Sequence, residues 1–260
     1  MIDDLSAEFL ALGDGRLLLR GVAAALCRYF DGRFLRMAQD AGATECRFPA
    51  VVSEATLAKA GYFEAFPDGA TAVATGEPRC WLPPAVCYHA YEMLAGTELI
   101  QPTRLTAAQS CFREADRHAL TPGRLWEFTM REVMFLGHPE WVREERERWS
   151  GRIDGLARDL GLAGMLEPAA DPFFGPTGRG KRLLQQVKGL KYELRVDLPD
   201  GALAVASFNL HETFFADRFA ITLEDGTPAH SGCVAFGLER WALAFLQQRG
   251  AAAAAALVRS

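Results

Sequence analysis

The sequence predicts an α+β fold, a mostly antiparallel sheet flanked by helices, and three observations carry that expectation. Residues 125–136 alternate, which sets Trp126, Phe128, Met130, Glu132, Met134 and Leu136 on one side of a strand. Cys111-Phe112-Arg113-Glu114 comes before it, across a polar loop ending in Gly123-Arg124, so the two segments form a hairpin. Residues 191–198 also alternate, Pro199-Asp200-Gly201 supplies turn chemistry, and residues 203–211 return as a second antiparallel pair.

Taken in order, the first 45 residues are helical in pattern, with residues 17–30 leading through 34–38 to Gly42. A strand over 45–52 follows, and Pro49, which has no N–H for a ladder, places it at an edge or a strand end. Beyond the first hairpin, Pro139 opens a helix whose apolar positions Val142, Trp149, Ile153, Leu156 and Leu160 keep helical spacing, while its Arg and Glu residues read as a solvated face. Residues 168–181, rich in Gly and Pro, read as a loop of the kind a ligand orders. On the second hairpin Lys191, Glu193, Arg195 and Asp197 share a polar face with Ser207, Asn209 and His211, which alternation alone assigns to solvent. A strand-like segment at 219–223 turns at Glu224-Asp225-Gly226. Past Gly237 a nearly all-apolar helix runs to Leu246 with Glu239 and Arg240 as its only charges, which sets Arg240 at a helix end facing a cleft. With no repeat and no dividing linker, residues 1–250 read as one domain and 251–260 as a low-complexity Ala-rich tail.

Composition narrows the function classes. A chain of 260 residues, half of them apolar, buries a large core without disulfide or metal staples. The six cysteines are irregularly spaced and no signal peptide precedes them, so thiols and a cytoplasmic location are expected. Every apolar stretch meets a charge well short of the roughly 20 residues a spanning helix needs, so no membrane segment is expected. A formal net charge of -5 and the lack of a basic run disfavour a large nucleic-acid ligand.

Glu132 is the anomaly on the first hairpin, a carboxylate among large apolar side chains. Burying it ionised and alone is too costly, so it must be neutralised, pair with Arg113 or Arg131, or bind a metal.

The order of the parts resembles a family. The opening helix and the strand near Pro49 look like motif 1 of the class II aminoacyl-tRNA synthetases, Cys111-Phe112-Arg113 through Glu132 looks like motif 2, and Gly237-Leu238-Glu239-Arg240 looks like motif 3. The similarity is closer to the amino acid:[carrier protein] ligases, relatives of the catalytic domain of the atypical, zinc-dependent seryl-tRNA synthetase that lack its tRNA-binding arm. Asp171-Pro172-Phe173-Phe174-Gly175, residues 190–194, residues 206–211 and His230-Ser231-Gly232-Cys233-Val234-Ala235-Phe236-Gly237 carry it. One departure stands out: the family follows the motif 2 arginine after one residue with Glu, whereas here Ala115 holds that place and Glu114 stands one earlier.

The resemblance implies a zinc site at Cys87, Glu132 and Cys233, residues far apart in sequence that match no local zinc-finger spacing; two thiolates and a carboxylate suit zinc and leave a fourth position open. It further implies that Arg113 and Arg240 stabilise the phosphates of ATP, that Phe128 stacks on adenine, and that Glu193 and Asn209 hold magnesium or ATP. His211 and His230 are expected in supporting roles. The implied reaction is activation of a small amino acid, its amino group on zinc, as an aminoacyl-adenylate, then transfer to the phosphopantetheine thiol of a carrier protein by a homodimer joined through the motif 1 region. No tRNA is expected. Gly178-Arg179-Gly180-Lys181-Arg182 is the candidate docking segment for the carrier. The alternatives are delivery of the adenylate to another acceptor, a small-molecule amine or a tRNA, and a non-catalytic amino-acid-binding regulator.

Overall fold

The computed structural model describes residues 8–74, 76–118, 123–171 and 178–259. The chain opens with a hairpin of β1 (Phe9–Gly13) and β2 (Arg16–Leu19), then α1 (Gly21–Asp40). Next come β3 (Thr44–Glu45), β4 (Val52–Ser53), α2 (Glu54–Lys59), α3 (Tyr62–Ala65), β5 (Cys80–Trp81), α4 (Cys87–Met93) and β6 (Glu98–Leu99). The long hairpin is β7 (Thr103–Phe112) and β8 (Glu127–Gly137), followed by α5 (Pro139–Asp159), β9 (Gly164–Pro168) and α6 (Gly178–Val187). The second hairpin is β10 (Lys191–Val196) and β11 (Leu203–Glu212), and α7 (Phe214–Phe219), β12 (Thr222–Leu223), β13 (His230–Gly237) and α8 (Leu238–Leu257) complete the chain.

Seven strands form the main sheet in the order β3-β7-β8-β13-β11-β10-β9. All of its pairs are antiparallel except β3 with β7. The period of two on β8 divides its side chains between two cores. Val133 and Phe135 join the cluster under α1, α5 and α8, where Phe34 stacks on Phe236 at 4.0 Å and Phe30 lies 5.3 Å from Trp241. Met134 and Leu136 point the other way, into the cluster formed with α4 and α7, and Met130 packs with Val86, Ala107 and Cys111. The helices obey the same logic: α1 buries Ala23, Leu26, Phe30, Phe34, Met37 and Ala38 at helical spacing, and α5 starts on Pro139, whose missing N–H costs nothing at a first helical position.

Both hairpins and α5 lie where alternation and helical spacing put them. Elsewhere the structure differs. The first 45 residues are not all helical: the β1–β2 hairpin precedes α1, and Gly21, at φ 53, allows the sharp passage from strand to helix. The expected strand over 45–52 is only the ends of two, β3 and β4. Pairing with β7 goes one hydrogen bond past β3, from Cys46 N to the Thr106 carbonyl, and is lost before Pro49. The loop expected over 168–181 gives way to α6 at Gly178, while Pro172-Phe173-Phe174-Gly175 lies outside the described residues. The strand expected at 219–223 is the end of α7, a left-handed Ala220 and the two residues of β12. The alanine run continues α8 beyond a break at Gly250, at φ 78 and ψ 169, and buries Ala254 completely.

Candidate active site

The face of the sheet turned away from α1, α5 and α8 carries the chemistry, and β-strand register brings its parts together. Asn209 on β11 stands opposite both Lys191 on β10 and Cys233 on β13. One pleat further along, Ser207 pairs with Glu193 and Ala235, and Ala235 pairs with Glu132 on β8. Cys87 reaches the same place from the first residue of α4.

Cys87, Glu132 and Cys233 therefore meet, all buried. The Glu132 carboxylate accepts the Cys87 backbone N–H at 3.1 Å and the thiols of both cysteines. Burial, more than these hydrogen bonds can offset, raises its pKa above the ordinary carboxylate value. Burial, and then the neighbouring Glu132, also push both thiols well above their usual range. Among the described residues no three His, Cys, Asp or Glu side chains are spread as a ready cage for a cation. What is present is two buried thiols beside a buried carboxylate, each disfavoured as an anion by burial. The donor chemistry fits zinc, because a divalent charge would let all three groups ionise where the described residues supply no ion-pair partner. Arg131, next along the strand, faces the opposite side and pairs with Asp31 at 2.5 Å, and the Arg113 guanidinium lies over the Phe128 ring. Among the described residues neither of the candidate arginines forms an ion pair with Glu132.

A polar relay backs this pocket. The Cys233 sulfur accepts from Asn209 Nδ2 at 3.3 Å and lies 3.7 Å from His211 Nε2. His211 Nδ1 is 2.9 Å from the Tyr91 hydroxyl, which donates to Ser231. Burial lowers the His211 pKa to about 4, so the ring is neutral at pH 7. His211 lies against Cys233. His230 makes no such contact among the described residues and sits at the start of β13.

The cationic end lies where β8 begins and α8 starts. The Arg113 guanidinium sits 4.9 Å from the Phe128 ring centre, and its backbone N–H bonds the Trp126 carbonyl at 2.9 Å. Arg240, in the first turn of α8, donates to the carbonyls of Gly123 at 2.8 Å and Ala204 at 3.0 Å. Burial first, and the nearby Arg113 second, lower its pKa to about 10, so it stays charged at pH 7. Glu239 beside it was not legible from sequence: it is buried and accepts the Thr129 backbone N–H at 2.9 Å, tying α8 to the strand that carries Glu132. Glu114 is also occupied structurally. Its carboxylate accepts from Thr71 at 2.6 Å and Trp126 at 3.0 Å and pairs with Arg117, closing the base of the motif 2 loop.

The polar face of the second hairpin is only partly open to solvent: Asp197, past the end of β10, is exposed, and the other end of the face is covered. Lys191 is buried, with its ammonium 2.5 Å from Asp171 and 3.3 Å from Glu193. Burial opposes its charge, but Asp171 and then Glu193 prevail and raise its pKa. Glu193 also pairs with Arg195 at 3.2 Å, and Asn209 Nδ2 bonds Ser207 at 3.2 Å as well as Cys233. Asp171 and Lys191 were missed as site residues because alternation cannot say which side of a strand another segment will cover.

No family model matches the chain. It is 36% identical over 242 residues to amino acid–[acyl-carrier-protein] ligase 1 of Bradyrhizobium diazoefficiens, an alignment covering 82% of this chain and 73% of that protein. The chain belongs to the amino acid–[acyl-carrier-protein] ligase family. A second ligase of that name from the same organism is 33% identical, over 78% of this chain and 69% of the relative. This ligase-family chain is also 34% identical over 134 residues to the type-2 serine–tRNA ligase of Methanocaldococcus jannaschii, covering 49% of the chain and 26% of the relative. Its fold is that of the class II synthetase catalytic domain: M. kandleri SerRS, solved with A. aeolicus tRNASec, superposes with a TM-score of 0.83 at 21% identity, covering 96% of this chain and 57% of that one. Seryl-tRNA synthetase from Pyrococcus horikoshii, complexed with ATP, gives 0.74 at 19% identity, covering 91% and 54%. The ligase-family chain thus spans little more than half of each of these synthetases.

Proposed function

We propose that this protein uses ATP to activate a small amino acid as its aminoacyl-adenylate and passes the aminoacyl group to the phosphopantetheine thiol of a carrier protein. Membership of a family whose relatives are named for that activity supports the reading. The observation that carries it is that one sheet face joins a pocket of two thiols and a carboxylate to a pair of partly buried arginines, one of them over an aromatic ring.

Cys87, Glu132 and Cys233 would hold a zinc ion, with Asn209 and His211 orienting Cys233. Bound there, zinc would supply a Lewis-acid position for the substrate amino group. Arg113 and Arg240, both partly buried, would set positive charge against the negative charge that develops on the triphosphate. Phe128 offers a ring for adenine. Glu193 is a hard oxygen donor suited to magnesium, which keeps several waters and shares phosphate oxygens. Asn209, whose amide nitrogen is committed to Ser207 and Cys233, would offer its amide oxygen to magnesium or ATP beside Glu193. The chain needs no nucleophile of its own, because the carrier thiol attacks an adenylate that positioning alone presents.

The same proposal includes a homodimer joined through the region of α1 and a cytoplasmic location. Among the described residues no helix is long and apolar enough to cross a membrane. The carrier is expected at α6, where Leu183 and Val187 are exposed; the side chains of Arg179, Lys181 and Arg182 lie outside the described residues. ATP–pyrophosphate exchange with a panel of amino acids and no RNA tests the activation step, and exchange with at least one small amino acid is expected. Adding a phosphopantetheinylated carrier should then add one aminoacyl group, seen by intact mass and released by hydroxylamine. Charging of tRNA with every carrier unmodified would move the reading to another acceptor, and no exchange with any amino acid would favour a regulator.

A further inference from the structure

We propose that Lys191 is a third catalytic cation, placed to meet the substrate carboxylate as that group closes on the α-phosphate. This rests on the adenylation reading and adds a residue to it. Lys191, Asn209 and Cys233 stand side by side on three adjacent strands. At roughly 4.8 Å per strand, the Lys191 backbone is about 10 Å from that of Cys233, a gap that the lysine stem and a small amino acid fill together. A substrate with its amino group in the thiol pocket carries its carboxylate only about 3–4 Å further on. From the other direction, Arg113 lies close enough to feel the charges of both Lys191 and Arg240. The three cations, carried by three elements, therefore lie within electrostatic reach of one another.

The way Lys191 is held fits this role. A lysine on a strand face ordinarily extends into water, yet Lys191 is 9% exposed and fixed between Asp171 and Glu193. Asp171 is in turn held by Gln185 of α6, whose amide donates to it at 2.9 Å and accepts its backbone N–H at 2.7 Å. An ammonium has three donors; one is hydrogen-bonded to Asp171 and Glu193 is paired at 3.3 Å, which leaves donor capacity for an incoming anion. In the step it serves, a substrate carboxylate oxygen forms a bond to the α-phosphorus. The bond from that phosphorus to the α–β bridging oxygen breaks, and its electron pair leaves with pyrophosphate. Lys191 neither gives nor takes a proton; it offsets the repulsion between two anions and fixes the attacking oxygen.

The bland role is a clasp, in which Lys191 only neutralises Asp171. Pyrophosphate exchange by full-length wild type, Lys191→Met and the double variant Lys191→Met/Asp171→Asn separates the two, with zinc content and melting temperature measured on each. The double variant carries no uncompensated carboxylate at position 171, so folding is not the obstacle. Lys191→Met is expected to lower kcat on the order of 10- to 100-fold, with KM for ATP and zinc content little changed, and the double variant should stay as slow. Recovery of wild-type kcat in the double variant, or a wild-type rate in Lys191→Met, overturns the assignment while the adenylation reading stands. Absence of exchange in the wild-type protein overturns that reading and this assignment with it.

Discussion

Arg131 and Glu132 are neighbours on one strand, both buried, and they solve the cost of a buried charge in opposite ways. Arg131 turns toward α1 and is bidentate to Asp31, at 2.5 and 3.1 Å, with Glu45 3.8 Å away and Thr106 hydrogen-bonded. It is satisfied within the chain. Glu132 turns to the other face, where it meets two thiols and a backbone N–H and, among the described residues, no ion-pair partner. The first charge is complete as folded and serves the architecture. The second has no cationic partner among the described residues, which is the basis for proposing it as a metal ligand.

The largest expected effect breaks the satisfied side. Asp31→Ala leaves the Arg131 guanidinium buried without its bidentate partner and should cost about 3 kcal/mol of stability, at the low end for a broken buried pair because Glu45 remains near. Chemical denaturation reads it directly, and a loss under about 1 kcal/mol would mean that Arg131 is not held by that pair.

Next comes a change on the functional face. Arg113→Ala removes a charge-assisted contact worth roughly 1.5–3 kcal/mol, so pyrophosphate exchange should fall about 10- to 100-fold while stability and zinc content hold. Exchange at the wild-type rate would take Arg113 out of the mechanism.

Smaller still is the effect of Glu132→Gln on the metal-free protein. Removing a carboxyl that burial disfavours as an anion should leave stability within about 1 kcal/mol of wild type, in contrast to Asp31→Ala. A loss comparable to that of Asp31→Ala would erase the distinction between the two residues.

The last effect is one of pH. Hydrogen bonding from Arg117 holds the Glu114 carboxyl down at about 2, below the ordinary 4.5. A depressed carboxyl contributes stability that is fully present above 4.5 and is lost as pH falls toward 2. Glu114→Gln should therefore flatten that part of the acid limb in a melting-temperature profile, and an unchanged slope would show that the motif 2 knot is not ionic.

Sequence reached what periodicity encodes. The two hairpins follow from alternation, and Glu132 was visible because a lone carboxylate interrupts an apolar face. The β1–β2 hairpin was hidden because the apolar residues of β2 run straight into those of α1, and only the backbone at Gly21 separates them. Lys191 and Glu193 read as a wet face because alternation gives two sides without saying which one is covered; Asp171, from the segment after β9, covers this one. Cys87 and Cys233 could be joined to Glu132 only through the family resemblance, since their meeting depends on α4 and β13 arriving from distant parts of the chain.

Metal analysis of the full-length protein tests the account of Glu132 most directly. Wild type should carry about one zinc per chain, and Cys87→Ala, Cys233→Ala and Glu132→Gln should each lose most of it while remaining folded. Equally little zinc in wild type and all three variants would contradict the account and leave Glu132 as a carboxyl that burial disfavours as an anion.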